Sequence, residues 1–186
     1  MLLTCLLVLT ACSESSDIKF KGSDITGTKL GRDWTLVGMD GKTYTPSSFQ
    51  GKVTLVFFGF TQCPDVCPTA LAELAQVMTL LGDRAKQVQV VMISVDPERD
   101  TPEVLRAYIS GFDPRFLGLT GSAEQIKAAA GAFKAYYAKA PAAKGSYTMD
   151  HSSSFYLLDK KGDARVMLNS TIGAAAVAHD IEALLR

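Results

Sequence analysis

Residues 53–58, Val-Thr-Leu-Val-Phe-Phe, form an apolar run that ends at Gly59 and gives way to Thr-Gln-Cys-Pro-Asp-Val-Cys-Pro, a polar, proline-bounded stretch holding Cys63 and Cys67. A short run with no polar alternation suits a strand buried on both faces, as in parallel sheets covered by helices. After the second cysteine, Pro68 suits a first helical turn, and Leu71, Leu74, Met78 and Leu81 recur at helical spacing before Gly82. Strand, cysteine loop and helix in this order place both thiols at the carboxyl end of a buried strand. Chemistry in open α/β sheets gathers at such ends.

The alternation continues downstream. Residues 88–95 (VQVVMISV) read as a strand, and Asp100-Thr101-Pro102-Glu103 reads as a helix start whose apolar stripe is Val104, Leu105 and Tyr108. Arg115 to Leu119 is a short strand candidate, and Ser122 with Gln125 opens a helix expected to run to about Lys139. Residues 140–151, APAAKGSYTMDH, read as a loop. Strands at Phe155–Leu158 and Arg165–Leu168 flank the turn Asp159-Lys160-Lys161-Gly162, and residues 174–185 close the chain as a helix. Upstream, residues 33–44 carry a hairpin signal at Asp40-Gly41. The expectation is an α/β domain: a mixed, mostly parallel sheet flanked by helices, with an N-terminal β-hairpin and an antiparallel closing pair. At 186 residues and 47% hydrophobic content the chain supports one well-buried core and is short for two domains.

Nineteen Lys and Arg balance nineteen Asp and Glu. No net positive field exists to recruit nucleic acid, which argues against that class of partner.

The first twelve residues, MLLTCLLVLTAC, carry no charge and are too few to span a bilayer. They read as a secretory signal. Leu9-Thr10-Ala11-Cys12 resembles the lipobox of bacterial lipoproteins, which implies removal of residues 1–11, acylation of Cys12, a flexible tether over residues 12–29 and a folded domain over residues 30–186. The expected location is extracytoplasmic, in the periplasm, with the membrane reached through the lipid anchor. Of the four cysteines, Cys63 and Cys67 then remain as free thiols in a compartment that permits disulfides.

Four readings of that pair compete. A structural staple closing so small a loop gains little chain entropy, and inert buried thiols do not suit a loop containing Thr61, Gln62, Pro64, Asp65 and Pro68. A redox pair and half of a metal site share one basis, since a thiol near a helix N-terminus is expected to have a lowered pKa, and thiolate is both nucleophile and ligand. Three intervening residues, Pro64, Asp65 and Val66, do not decide between them. Of the two histidines, His179 falls on the solvated side of the last helix, whereas His151 follows a loop and precedes a core strand. Two thiolates with one imidazole suit Cu(I), and the imidazole with an added oxygen lets Cu(II) remain bound. Structural zinc wants four protein ligands, and no fourth Cys or His is sensibly placed. Asp65 and Asp150 are candidates for orienting the imidazole or tuning the charge of the site, with plain solvated acids equally good readings; Met149 is more readily a packing residue than a thioether ligand.

FFGFTQCPDVCPTALAEL, ISVDPERDTPEVLRAYI and DHSSSFYLLD, in this order, resemble the Sco/SenC proteins over roughly Leu30 to Leu185. The resemblance implies a thioredoxin-like fold, copper held by Cys63, Cys67 and His151, and delivery of that copper to the copper-site subunit of cytochrome c oxidase. A second periplasmic copper chaperone or a thiol reductase is a possible further partner. Gln62 stands where many members have histidine, which leaves the three ligands intact. Ser154 falls near the position of the thioredoxin cis-proline, and a smaller residue there leaves room for a metal. A thiol-disulfide oxidoreductase that reduces the cysteines of the oxidase copper site stays in play, and a thiol peroxidase is a weaker reading.

Overall fold

The computed structural model describes residues 19–186. Its strands are β1 (Ser23–Asp24), β2 (Leu36–Gly38), β3 (Thr43–Tyr44), β4 (Val53–Gly59), β5 (Val88–Ser94), β6 (Leu117–Thr120), β7 (Tyr137–Pro141), β8 (Tyr147–His151), β9 (Ser154–Leu158) and β10 (Ala164–Asn169). The α-helices are α1 (Val66–Leu81), α2 (Pro102–Ile109), α3 (Ala123–Phe133) and α4 (Ala174–Leu185). Eight strands form one sheet in the order β1-β10-β9-β4-β5-β6-β2-β3. The centre is parallel, β5 lying between β4 and β6, while β9, β10 and β1 on one flank and β2 and β3 on the other pair antiparallel.

The apolar run of β4 is explained by burial on two sides. Val53, Leu55 and Phe57 face a core built with α1, α2 and α4. Val56 and Phe58 alternate to the opposite core, which α3 covers together with Trp34 and Phe49. Each fully buried Phe or Leu of these layers contributes about 1.5–3 kcal/mol by leaving water. Phe58 meets Phe133 of α3 edge-on, with centroids 5.6 Å apart. The helix starts follow the sequence signals: Thr101 Oγ1 accepts the Val104 amide hydrogen, and Ser122 and Gln125 form a reciprocal capping box.

Several expectations require correction. Helix α3 stops at Phe133 rather than near Lys139, because Lys134 takes a left-handed conformation (φ 53°) and the amides of Lys134 and Ala135 turn back onto the carbonyl of Ala130. The stretch read as a loop is largely ordered: β7 and β8 pair antiparallel, with Tyr137 opposite His151 and Pro141 opposite Tyr147. Helix α1 begins at Val66, so Cys67 lies in its first turn rather than before it. The folded unit also starts earlier than Leu30. β1 pairs with β10, Phe20 packs on the core, and the amides of Lys21 and Gly22 donate to the fully buried carboxylate of Asp180. The signal segment, Cys12 and the tether as far as residue 18 lie outside the described residues. Among the described residues no helix is long and apolar enough to cross a membrane.

Candidate metal centre

The carboxyl end of β4 opens into Phe60-Thr61-Gln62-Cys63-Pro64-Asp65 before α1 begins. Fully buried Asp100 holds this loop in place by accepting from Thr61 N at 3.1 Å, Thr61 Oγ1 at 2.6 Å and Ser94 Oγ at 2.6 Å. Cys63 Sγ sits at the start of α1 and accepts the amide hydrogen of Cys67 at 3.4 Å. Of the two sulfurs, it is Cys63 that the amide at the helix start reaches. For Cys67 the expected lowering fails: its side chain is 1% exposed, and burial pushes its thiol up, a backbone contact with Phe60 opposing this only in part. Gly59 leaves the room that this sulfur needs, since a Cβ there would lie 2.9 Å from Cys67 Sγ.

His151 arrives from the other direction, as the last residue of β8. Strand alternation turns Tyr147, Met149 and His151 to one face and Thr148 and Asp150 to the other. His151 Nε2 lies 3.6 Å from Cys67 Sγ, and His151 Nδ1 lies 3.0 Å from the carbonyl oxygen of Ser152. A carbonyl only accepts, so Nδ1 carries the proton and Nε2 presents its lone pair to the sulfurs. The edge of Phe60 meets the imidazole at a centroid distance of 5.8 Å and steadies its plane.

The structure thus brings Cys63, Cys67 and His151 together, their donor atoms all within 4.8 Å of one another. A three-coordinate first-row metal with bonds of about 2.0–2.3 Å spaces its donors roughly 3.5–4 Å apart, so this set closes on an ion with small shifts. The donors, two sulfurs and one imidazole, match the softness of Cu(I). The site opens onto a cleft of about 370 Å³ lined by Phe60, Cys63, Pro64, Met149, Asp150 and His151 among others. A larger cleft of about 570 Å³, between Arg32, Thr45 and Lys161, lies at the opposite end of the sheet and touches none of these groups.

Asp65 and Asp150 are exposed, and among the described residues neither carboxylate hydrogen-bonds to the three donors. The imidazole is oriented by the Ser152 carbonyl instead. Met149 is buried among Phe60, Cys67 and Phe58, as a packing residue. Ser154 opens β9 opposite Asn169, and no peptide bond among the described residues is cis. His179 is exposed on α4 and contacts Asp180 at 2.8 Å, and it is not part of the group formed by Cys63, Cys67 and His151.

A family model of SCO1/SenC matches residues 22–186, and the cysteine loop and His151 both fall inside the match. The chain belongs to the SCO1/SenC family. The SCO2-like protein of Rickettsia felis is 39% identical over 136 residues, covering 72% of this chain and 66% of that one. Protein SenC of Rhodobacter capsulatus is 40% identical over 141 residues, covering 76% of this chain and 64% of its own length. The chain therefore spans just under two thirds of these relatives. Among solved structures, Bradyrhizobium japonicum ScoI with copper bound superposes with a TM-score of 0.78 at 40% identity, covering 83% of this chain and 99% of that one. BsSco, whose structure identified a disulfide switch and which is a member of the Sco family of cytochrome c oxidase assembly proteins, gives a TM-score of 0.68 at 26% identity, covering 87% and 96%. These SCO1/SenC likenesses confirm the thioredoxin-like fold expected from the sequence.

The residues that sequence reasoning missed are Asp96, Arg99, Asp100 and Tyr147. Asp96 and Arg99 enter the sequence reading only inside the ISVDPERDTPEVLRAYI motif, and Asp100 only as part of a helix start. Tyr147 was hidden in the stretch read as a loop, although Tyr147, Met149 and His151 already alternate with Thr148 and Asp150.

Proposed function

We propose that this protein binds copper through Cys63, Cys67 and His151 and delivers it to the copper-site subunit of cytochrome c oxidase during assembly of the respiratory complex. The observation that carries this reading is the convergence of those three donors from a strand end, a helix start and a separate hairpin. Copper-bound ScoI, 40% identical, supports copper as the ion, and the BsSco likeness supports oxidase assembly as the setting. The two sulfurs hold Cu(I), and the imidazole allows Cu(II) to be retained. Three ligands beside an open cleft let an incoming thiolate or imidazole replace them stepwise, without release of the ion to solvent. The lipobox-like Leu9-Thr10-Ala11-Cys12 supports a mature protein acylated at Cys12 and held to the membrane in the periplasm, where such a partner is exposed.

Competition for Cu(I) against a chelator of known affinity tests the site in the reduced protein. One-to-one binding that weakens in Cys63→Ser, Cys67→Ser and His151→Ala supports it; affinity indifferent to all three variants ends it.

A second reading is favoured by one observation. Cys63 and Cys67 are both free, and Cys63 Sγ receives the Cys67 amide at the head of α1, the environment of a nucleophilic thiol. Under this reading the pair reduces the cysteines of the oxidase copper site, and its activity survives His151→Ala.

A further inference from the structure

The segment Asp96-Pro97-Glu98-Arg99-Asp100-Thr101 supplies no metal ligand, yet Arg99 reaches both halves of the centre. Its Nε pairs with buried Asp96. Its Nη1 donates to Gln62 Oε1 at 3.0 Å and to the Tyr147 carbonyl oxygen at 3.0 Å. Its guanidinium carbon lies 3.8 Å from the centroid of the Tyr147 ring and 6.0 Å from that of Phe60. Phe60 and Gln62 belong to the cysteine loop, whereas Tyr147 begins the strand that ends in His151. Nη2 is buried with no hydrogen-bond partner among the described residues. Saturation of a hydrogen-bond network therefore does not account for an arginine at this place.

We propose that Arg99 is a positioning residue for copper: it clamps the β7–β8 hairpin onto the cysteine loop and so sets where His151 stands relative to the two sulfurs. This rests on the copper-site reading above. The hairpin is a two-stranded sheet of its own, outside the eight-stranded sheet. It is held at its base, where Ser152 N donates to Tyr136 O at 2.9 Å, in its middle by buried Met149, and at its far end by Tyr147. There the Tyr147 hydroxyl donates to Asp96 Oδ1 at 2.9 Å, so Asp96 is shared between tyrosine and arginine. Tyr147 and His151 stand four residues apart on the same face, about 14 Å along the strand. A hairpin released at Tyr147 pivots on Met149 and carries the imidazole off its line to Cys67. Arginine suits the role because its rigid planar fork bonds in two directions while its flat face stacks on aromatic rings; the ammonium of lysine is a rotatable point charge with no planar face, as where Lys139 Nζ lies 4.5 Å from the Tyr147 ring centroid. The bridge between Lys139 and Glu98 is exposed and adds little to this grip.

The test is a double-mutant cycle in the full chain, reduced and loaded with Cu(I), using Arg99→Met and Arg99→Lys each with and without His151→Ala. Chelator competition gives affinity, and nitrogen hyperfine coupling in the Cu(II)-loaded protein reports imidazole ligation. Both arginine variants are expected to weaken Cu(I) about ten- to hundredfold and to reduce the nitrogen signal. In the His151→Ala background the same changes are expected to cost nothing further. Arg99→Lys keeps the charge and serves where Arg99→Met unfolds, which thermal unfolding of the metal-free proteins reveals. Unchanged affinity and nitrogen signal in Arg99→Lys overturn the proposal, as does a loss of the same size in both backgrounds, which marks a role in charge or general stability. If His151→Ala alone leaves affinity unchanged, the copper-site reading itself fails and takes the clamp with it.

Discussion

Cys67 Sγ and His151 Nε2 lie 3.6 Å apart although 84 positions separate them in the chain. The contact joins the first turn of α1 to the last residue of β8, and it is asymmetric. Cys67 is buried in the apolar cluster that includes Phe58 and Met149, and Cys63 stands nearer the open cleft. An ion held by this set has one inner and one outer sulfur, and the outer one is the natural point of exchange.

The buried thiol gives the reduced, metal-free protein a defined alkaline response. Burial raises the folded-state pKa of Cys67 above the ordinary value of about 8.5, so the folded form holds this proton longer than the unfolded chain does. The stabilisation is fully present below about pH 8.5 and is lost as pH rises beyond it. The Tm of the reduced protein is expected to fall from pH 8 to about pH 10 more steeply than that of Cys67→Ala. Parallel profiles would contradict the assignment.

Gly59 matters because of its distance to the sulfur. A methyl group at Gly59, 2.9 Å from Cys67 Sγ, forces the sulfur or its surroundings to shift. Gly59→Ala is expected to destabilise the fold by about 1–3 kcal/mol, as overpacking does, and to weaken copper binding as well. Denaturant unfolding and chelator competition on one preparation give both numbers.

Asp100 is a structural support for the loop rather than a ligand. Its carboxylate satisfies the amide and hydroxyl of Thr61 and the hydroxyl of Ser94 in a fully buried setting. Asp100→Ala strands these donors, and the expected cost is about 2–4 kcal/mol, measurable by urea unfolding. Asp100→Asn keeps the acceptor oxygen and is expected to cost less.

Asp180 plays the corresponding part at the start of the domain. It binds the amides of Lys21 and Gly22, just where the chain enters β1. Asp180→Ala is expected to speed hydrogen exchange at residues 21–24 while leaving β4 and β5 protected. Exchange followed by mass spectrometry checks this; unchanged protection at residues 21–24 would show that pairing with β10 suffices alone.

How much of this was legible in the sequence differs from element to element. β4 was readable because burial on both faces leaves an unbroken apolar run, and α2 and α3 because their caps use the residues that cap helices. Cys63, Cys67 and His151 were readable as donors by residue type and placement at strand ends. The end of α3 was not, because the left-handed residue that stops it is a lysine, where glycine would have marked it. The β7–β8 hairpin was missed because its strands are short and contain Pro141, Lys139 and Asp150, none of them strand formers. Asp150 was placed near the imidazole by adjacency; it lines the same cleft, but its carboxylate hydrogen-bonds to none of the three donors among the described residues. The role of Arg99 depends on three elements meeting in space, which no local pattern records.

The most direct test of the central claim is X-ray absorption at the copper edge of the Cu(I)-loaded protein, with His151→Ala and His179→Ala beside it. The account predicts two sulfur ligands and one imidazole nitrogen, the nitrogen lost in His151→Ala and retained in His179→Ala. A spectrum with sulfur ligands alone, the same in all three proteins, would contradict it.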